Sequence, residues 1–303
     1  MSKSSSRPSL WETIHESAKH VLAINQRNLL YVYPHNPRRH FPLADNKLLT
    51  KEALIQLSVP VPVTHKVYRH FYELRKLEED LSRLPEFVIK PARGKGGSGI
   101  IVISGRKGAD WVGISGKLYT LHDLKKHISD IIFGVYSFGL NDEVMVESRV
   151  MQHEAMNAIS PYGLADIRII TFRQQPIMAM TRIPTLASEG KANLHQGAVG
   201  VGINLKSGCT HHAIHQGDPV SKHPDNGKTL IGHSLPFWKR VLEITHLTAK
   251  SVPLGYLGVD IVLAPDGPKV LEINVRPGIE IQNANMEGMR EILESHDTFL
   301  RRS

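Results

Sequence analysis

The chain has 303 residues, 41% of them hydrophobic and 22% charged, with a formal net charge of +8. Those proportions belong to a folded globular protein rather than a disordered one, no apolar run approaches the roughly 18 residues a spanning helix needs, and the lone Cys209 excludes an intrachain disulfide. The basic excess favours an anionic partner, which leaves nucleotide, acidic substrate, nucleic acid and membrane surface in play.

The N-terminal MSKSSSRPS is polar and lacks the apolar core of a secretory signal, so the expected location is cytoplasmic. Leu10, Trp11, Ile14, Ala18, Val21 and Leu22 recur at helical spacing and predict an amphipathic helix over 10–30. Pro34, Pro37 and Pro42 predict an extended crossing after it. Asp45 is placed to cap a helix from Asn46 to about Ser58, with Pro60 and Pro62 beyond its exit. Lys47 and Lys51, four apart, share a face of that helix; simple solvation accounts for both. Tyr68, Phe71, Tyr72, Leu74, Leu77 and Leu81 predict another helix over 68–82.

Phe87 to Ile103 reads as strand, glycine loop, strand. Gly94, Gly96 and Gly99 match a dinucleotide-binding fingerprint by letters, but β-branched residues follow where that fingerprint needs a helix, and no Lys-Ser/Thr pair makes a Walker loop. What remains is a glycine hairpin able to fold over a triphosphate. Glycines at Gly96 and Gly97 allow close backbone approach, successive N–H groups can line an anion, Lys90 supplies a point charge and Ser98 a hydroxyl. A flexible hairpin with a snorkelling lysine is the plain alternative.

Further on, a short strand precedes a helix from about Thr120 to Ile132, and residues 143–150 form a strand that breaks before Glu154. Residues 165–172 and 177–183 predict a hairpin around Gln174, Gln175 and Pro176. Arg168 and Arg182 lie among its apolar positions and need anionic partners, either a phosphate or Asp166. A loop with Lys191, Asn193, His195 and Gln196 leads into a strand at 199–205. His211, His212 and His215 are spaced suggestively for zinc, but no cysteine pair or acidic partner surrounds them, and a solvated strand edge explains them. A helix at 238–252 and a closing helix at 286–300 complete the pattern. No long basic block or interleaved aromatic series supports nucleic-acid binding.

The most informative stretch is Gly255 to Gly278. Val259, Ile261 and Leu263 alternate with Gly258, Asp260 and Val262, a turn follows at 265–268, and Leu271, Ile273 and Val275 alternate with Glu272, Asn274 and Arg276. Period two puts Glu272, Asn274 and Arg276 on one face, and an antiparallel return can set Asp260 opposite them. A carboxylate pair with an amide is a hard oxygen set of the kind Mg²⁺ prefers, phosphate and water completing an octahedron. We read the hairpin as the metal–phosphate floor of an ATP site; a surface hairpin with a wet polar face is the competing reading.

Taken in order, N-K-x-x-T-K at Asn46–Lys51, F-V-I-K-P with its glycine loop, D-I-R at Asp166–Arg168, M-x-R ending at Arg182, A-N-L-H-Q-G at Ala192–Gly197 and L-E-I-N-V-R-P-G at Leu271–Gly278 resemble the ATP-grasp superfamily of carboxylate–amine ligases. Within it the chain is most similar to the α-L-glutamate ligase-related group. The resemblance implies an α+β fold of two lobes gripping ATP between antiparallel sheets. A glycine-loop lobe would span about 64–145 and a metal-binding lobe about 146–285 within an ATP-grasp domain of 45–285. An N-terminal helix and arm (1–44) would replace a full preceding domain, and a C-terminal helix (286–303) would close the chain.

The resemblance also implies roles. Lys47 and Lys90, with Gly96, Gly97 and Ser98, would hold the ATP phosphates. Glu147 would lie near the adenine amino group, Val150 would offer backbone to the base, and Glu154 would take the ribose hydroxyls. Asp260, Glu272 and Asn274 would ligate two Mg²⁺ ions, with Mn²⁺ as a substitute. Arg168 and Arg182 would stabilise the transferring phosphoryl group, Asn193 would sit close to the metal–phosphate site, and Arg276 would complete the catalytic set. The implied reaction is ATP-dependent amide formation through an acyl phosphate, adding glutamate or a similar amino acid to an amine, peptide or protein acceptor; the alternative is a nucleotide-binding scaffold without turnover. The ribosomal-protein ligases of the group carry arginine where this loop has Lys191 and Gln196, which alters the charge of the acceptor site. Self-association is left open.

Overall fold

Period-two apolar runs, broken by glycine and proline turns, become two antiparallel sheets in the computed structural model of the protein, which describes residues 20–94 and 96–299. The first sheet holds β1 (Thr64–Tyr68), β2 (Phe87–Pro91), β3 (Ile101–Lys107), β4 (Asp110–Gly113), β5 (Leu118–Tyr119) and β6 (Val144–Glu147), in the order β1-β6-β2-β3-β4-β5. Helix α2 (Leu121–Ile132) covers it, after α1 (Lys47–Gln56) earlier in the chain. Thr120 caps α2 by accepting from the Asp123 N–H at 3.1 Å. Its Leu124, Ile128 and Ile131 are buried with Phe87, Ile103 and Trp111, each such side chain contributing about 1.5–3 kcal/mol on burial.

The second sheet holds β7 (Asp166–Phe172), β8 (Gln175–Ile183), β9 (Val199–Ile203), β10 (Thr210–His215), β11 (Asp218–Pro219), β12 (Tyr256–Ala264) and β13 (Gly267–Asn274), in the order β11-β10-β9-β8-β7-β12-β13. All nine residues of β12 are buried, because both faces of the sheet are covered. On one face, α3 (Trp238–Lys250) packs Val241 and Ile244 against Ile167, Ile169 and Ile261. On the other, Leu22, Tyr31 and Val32 join Ile170, Phe172 and Tyr256, with Ile281 and Ala284 from α4 (Ile281–Asn285) and Leu293 from α5 (Arg290–Phe299).

Several local expectations change. The proline segment is not extended: it runs as short helical turns at Tyr33–His35, Arg38–His40 and Pro42–Asp45. Pro42 sits in a first turn, where no N–H is needed, and the turn holding Pro34 follows directly on a π-helical turn at Asn28–Val32. Helix α1 is capped by Asn46, not Asp45; its side chain accepts from the N–H of Leu48 at 2.9 Å. Tyr68 ends a strand, and the following helical segment starts at Phe71. The strand expected to reach residue 150 stops at Glu147. The closing helix is split, because Met286 adopts a left-handed conformation (φ 50°) that ends α4. His211, His212 and His215 lie on β10, between β9 and β11, and bond to Asn285, the Ala284 carbonyl and the Gly197 carbonyl. The first half of the helix expected over 10–30, and Leu300 of the closing helix, lie outside the described residues.

Candidate active site

Antiparallel register gathers charged side chains on one face of the sheet across β8, β7, β12 and β13. Arg182 faces Asp166, Asp260 faces Arg168 on one side and Glu272 on the other, and Asn274 faces Gly258. Gly258 has to be small: a Cβ there would lie 2.6 Å from Pro277 Cβ. Arg168 donates from Nε to Asp260 Oδ1 at 2.8 Å and from Nη2 to Oδ2 at 2.6 Å. Arg182 grips Asp166 through both Nε and Nη2 and reaches Asp260 Oδ2 at 2.9 Å. Arg182 pairs with Asp166, one of the two partners expected from the sequence, whereas Arg168 pairs with Asp260, which the sequence does not offer for it.

These pairings set the charge states. Burial resists ionisation of Asp260, but Arg168 and Arg182 outweigh it and hold the carboxyl well below the usual range. Burial pushes the Asp166 carboxyl up to about 6; Arg182 pulls it back, and the charge of Asp260 adds to the rise. Burial also works against the Arg182 guanidinium, yet Asp166 and Asp260 raise it above its usual value.

The same face can be tested as a cation site. Asn274 Nδ2 lies 3.2 Å from Asp260 Oδ2 and 3.4 Å from Glu272 Oε1, so its amide donates to both carboxylates, and a half-turn about its last bond would present oxygen instead. Asp260 Oδ1 accepts from Arg168, and a carboxylate oxygen has a second lone pair to offer. The Glu272 side chain is 35% exposed and open to a ligand. Among the described residues no group of three or more His, Cys, Asp or Glu forms a metal cluster. Two carboxylates and an amide nonetheless fit a hard divalent ion that keeps phosphate and water ligands.

Opposite the hairpin stands the glycine turn. Lys47 donates from Nζ to the Gly94 carbonyl at 2.7 Å and lies 3.5 Å from Glu272 Oε2. A cavity of about 180 Å³ opens there between Phe41, Asp45, Lys47, Gly96, Glu272 and Arg276. A smaller one, about 20 Å³, is lined by Lys47, Lys90, Gly97, Ser98 and Glu272. Gly99 closes the turn at φ +77°, with Tyr136 so near that a Cβ would lie 2.8 Å from its ring.

Lys90, on β2, forms an ion pair with Glu147 at 2.6 Å, and Lys51 binds the other oxygen of the same carboxylate. Burial opposes the charge on Glu147, but Lys90 and Lys51 prevail and lower its pKa; burial pushes the Lys51 ammonium down, with Glu147 opposing. Sequence reasoning treated Lys51 as solvated. The signal against this was its place in the apolar stripe of α1, between Leu48 and Leu54, all three buried.

Val150 and Glu154 lie in the chain after β6, Glu154 opening a short helix to Asn157 with its side chain exposed. The Asn193 side chain accepts from the His195 N–H at 3.0 Å within its own loop and makes no hydrogen bond to the acidic side chains of that face among the described residues. Arg276 is exposed, its guanidinium 5.3 Å from the centre of the Phe41 ring.

The chain is 24% identical over 260 residues to a probable alpha-L-glutamate ligase of Pseudoalteromonas translucida (strain TAC 125), covering 85% of this chain and 64% of that protein. It is 26% identical over 199 residues to a probable alpha-L-glutamate ligase 2 of Pseudoalteromonas atlantica (strain T6c / ATCC BAA-1087), covering 66% of this chain and 50% of that one. The chain thus spans between half and just under two thirds of the length of these relatives. Among solved structures it is similar to the ATP-grasp ligase PsnB complexed with a minimal precursor, with 14% identity, a TM-score of 0.47, and coverage of 89% of this chain and 64% of that chain. Residues 26–298 match the family described as sugar-transfer associated ATP-grasp, which takes in both sheets, the glycine turn and the carboxylate hairpin. The chain belongs to the sugar-transfer associated ATP-grasp family.

Proposed function

We propose that the protein is an ATP-dependent ligase that joins a carboxylate to an amine. The observation that carries this reading is the position of Lys47, which ties the glycine turn at Gly94 to Glu272 of the hairpin and so gathers both lobes about one cavity. A triphosphate under the turn would meet Lys47, Lys90 and Ser98. Mg²⁺, as one ion or two, would be held by Asp260, Glu272 and Asn274, and would supply neutralisation of phosphate charge. Arg168 orients Asp260 through Nε and Nη2 and Arg182 through Nη2, and the carboxylate bonds of the two leave their Nη1 donors for a phosphoryl oxygen.

The chemistry needs no side-chain nucleophile. A substrate carboxylate oxygen attacks the γ-phosphorus of ATP, the bond to the bridging oxygen breaks, and ADP leaves. An amine nitrogen then attacks the acyl carbon, inorganic phosphate departs and the nitrogen loses a proton. The chain's own contribution is positioning and fixed charge in a partly enclosed site. The cavity beside Glu272, about 180 Å³ and lined by both Asp45 and Arg276, suits a small polar acid. The named relatives make glutamate the first candidate for the added group.

An ADP-release screen with pooled amino acids and acidic peptides, read out by product mass, tests the reading. ADP formation that depends on an added acid, with a product heavier by a condensed unit, supports it. ATP binding with no acid-dependent ADP across the panel contradicts it.

A further inference from the structure

We propose that Glu147 is a positioning residue: braced by Lys51, it holds Lys90 for the phosphates of the nucleotide and acts on that ligand through Lys90, not through the base. The proposal rests on the ATP-site reading above and assigns Glu147 a different task from the adenine contact that family resemblance implies.

Both oxygens of Glu147 are engaged, Oε1 by Lys51 and Oε2 by Lys90, and the side chain is only 3% exposed. Its two partners come from different elements. Val88 on β2 is opposite Glu147, and Lys90 is opposite Met145. Lys90 and Glu147 are therefore diagonal neighbours on one face of the sheet. Lys51 arrives from α1, where its ammonium also donates to Thr64 Oγ1 at 2.8 Å and to the Pro62 carbonyl at 2.5 Å. All three of its protons are thus placed. Lys90 donates one proton to Glu147 and lines the small cavity beneath Gly97 and Ser98. One carboxylate thereby fixes two ammonium groups that would otherwise repel each other at close range, and it ties the helix that carries Lys47 to the strand that carries Lys90.

A base contact and a lysine-positioning role make opposite predictions for a ligand without a base. Inorganic tripolyphosphate and MgATP are titrated calorimetrically, at one ionic strength, into full-length wild type and Glu147→Gln. The expected result is a loss of affinity for both ligands by a similar factor, roughly tenfold or more. Weaker ATP binding with unchanged tripolyphosphate binding would overturn the proposal, as would unchanged or tighter binding of both. In a Lys51→Met background, Glu147→Gln is expected to change tripolyphosphate affinity by less than it does in wild type; additive losses count against the proposal. If thermal melts show that Glu147→Gln is unfolded, Glu147→Asp, which keeps the charge but withdraws it by one methylene, enters the same comparison with the same expected loss. A wild-type protein that binds neither ligand refutes the ATP-site reading itself, a result distinct from intact wild-type binding that Glu147→Gln leaves untouched.

Discussion

Arg168 holds Asp260 through two parallel hydrogen bonds, 2.8 Å from Nε to Oδ1 and 2.6 Å from Nη2 to Oδ2. With Arg182 adding a third at 2.9 Å, a carboxylate whose side chain is 2% exposed stays ionised inside the sheet. Such a pair contributes little over an apolar one, but removing one partner strands a buried charge. Arg168→Ala should therefore lower unfolding stability by about 3 kcal/mol, and the double substitution Arg168→Ala/Asp260→Asn should lose less than the sum of the singles. Denaturant unfolding measures both; a loss below about 1 kcal/mol for Arg168→Ala, the scale of an exposed pair, would contradict the pairing.

The glycine turn offers a comparison at matched backbone angles. Gly97 (φ +79°) has nothing within 4 Å of a built Cβ, whereas at Gly99 (φ +77°) the Tyr136 ring would be 2.8 Å away. Gly97→Ala should cost about 1–2 kcal/mol from backbone strain alone. Gly99→Ala should cost more, because Tyr136 has to move as well, and His127, bonded to the Gly99 carbonyl at 2.9 Å, moves with the turn. Equal losses in thermal or denaturant unfolding would show that the Tyr136 contact does not matter.

Much of this was legible in the residues, and the failures have physical causes. The hairpin at 256–274 could be read because period-two alternation and a proline–glycine turn agree, and the register then brings Asp260 to Glu272. Lys51 and Lys90 could be found as lysines, but not their shared carboxylate: Glu147 is 96 residues from Lys51, and no local pattern encodes that meeting. The proline segment misled because proline breaks a helix interior yet suits a first turn, and spacing alone does not say which is present. The split between α4 and α5 depends on one left-handed residue, Met286, a conformation that sequence would assign to glycine or asparagine before methionine.

The charge state of Glu147 makes stability depend on acid. Its carboxyl is buried, which resists ionisation, but Lys90 and Lys51 hold its folded pKa below the unfolded value near 4.5. A depressed folded pKa contributes stability that is present above the unfolded value and is lost as pH falls through the folded one. Wild type should lose stability on acidification below about pH 4.5 more steeply than Glu147→Gln. Thermal melts of the two proteins between about pH 3 and 6 check this; parallel curves would mean that Glu147 is not held in the ionised form.

Cation binding should be visible without turnover. If Asn274 turns its amide to offer oxygen beside Asp260 and Glu272, Mg²⁺ with a non-hydrolysable ATP analogue should stabilise the folded protein by about 2.7 kcal/mol at a hundredfold excess over the dissociation constant. Glu272→Ala should lose most of that gain while melting cooperatively. A gain of the same size in the variant would place the ion elsewhere.

The most direct test of the central claim is acid-dependent ADP release by wild type and by Glu272→Ala, measured on the same amino-acid and peptide pool with Mg²⁺ and ATP. The account predicts ADP that rises with the added acid in wild type, and a loss of roughly a hundredfold or more in the variant with its fold intact. Acid-dependent turnover that survives Glu272→Ala would contradict it.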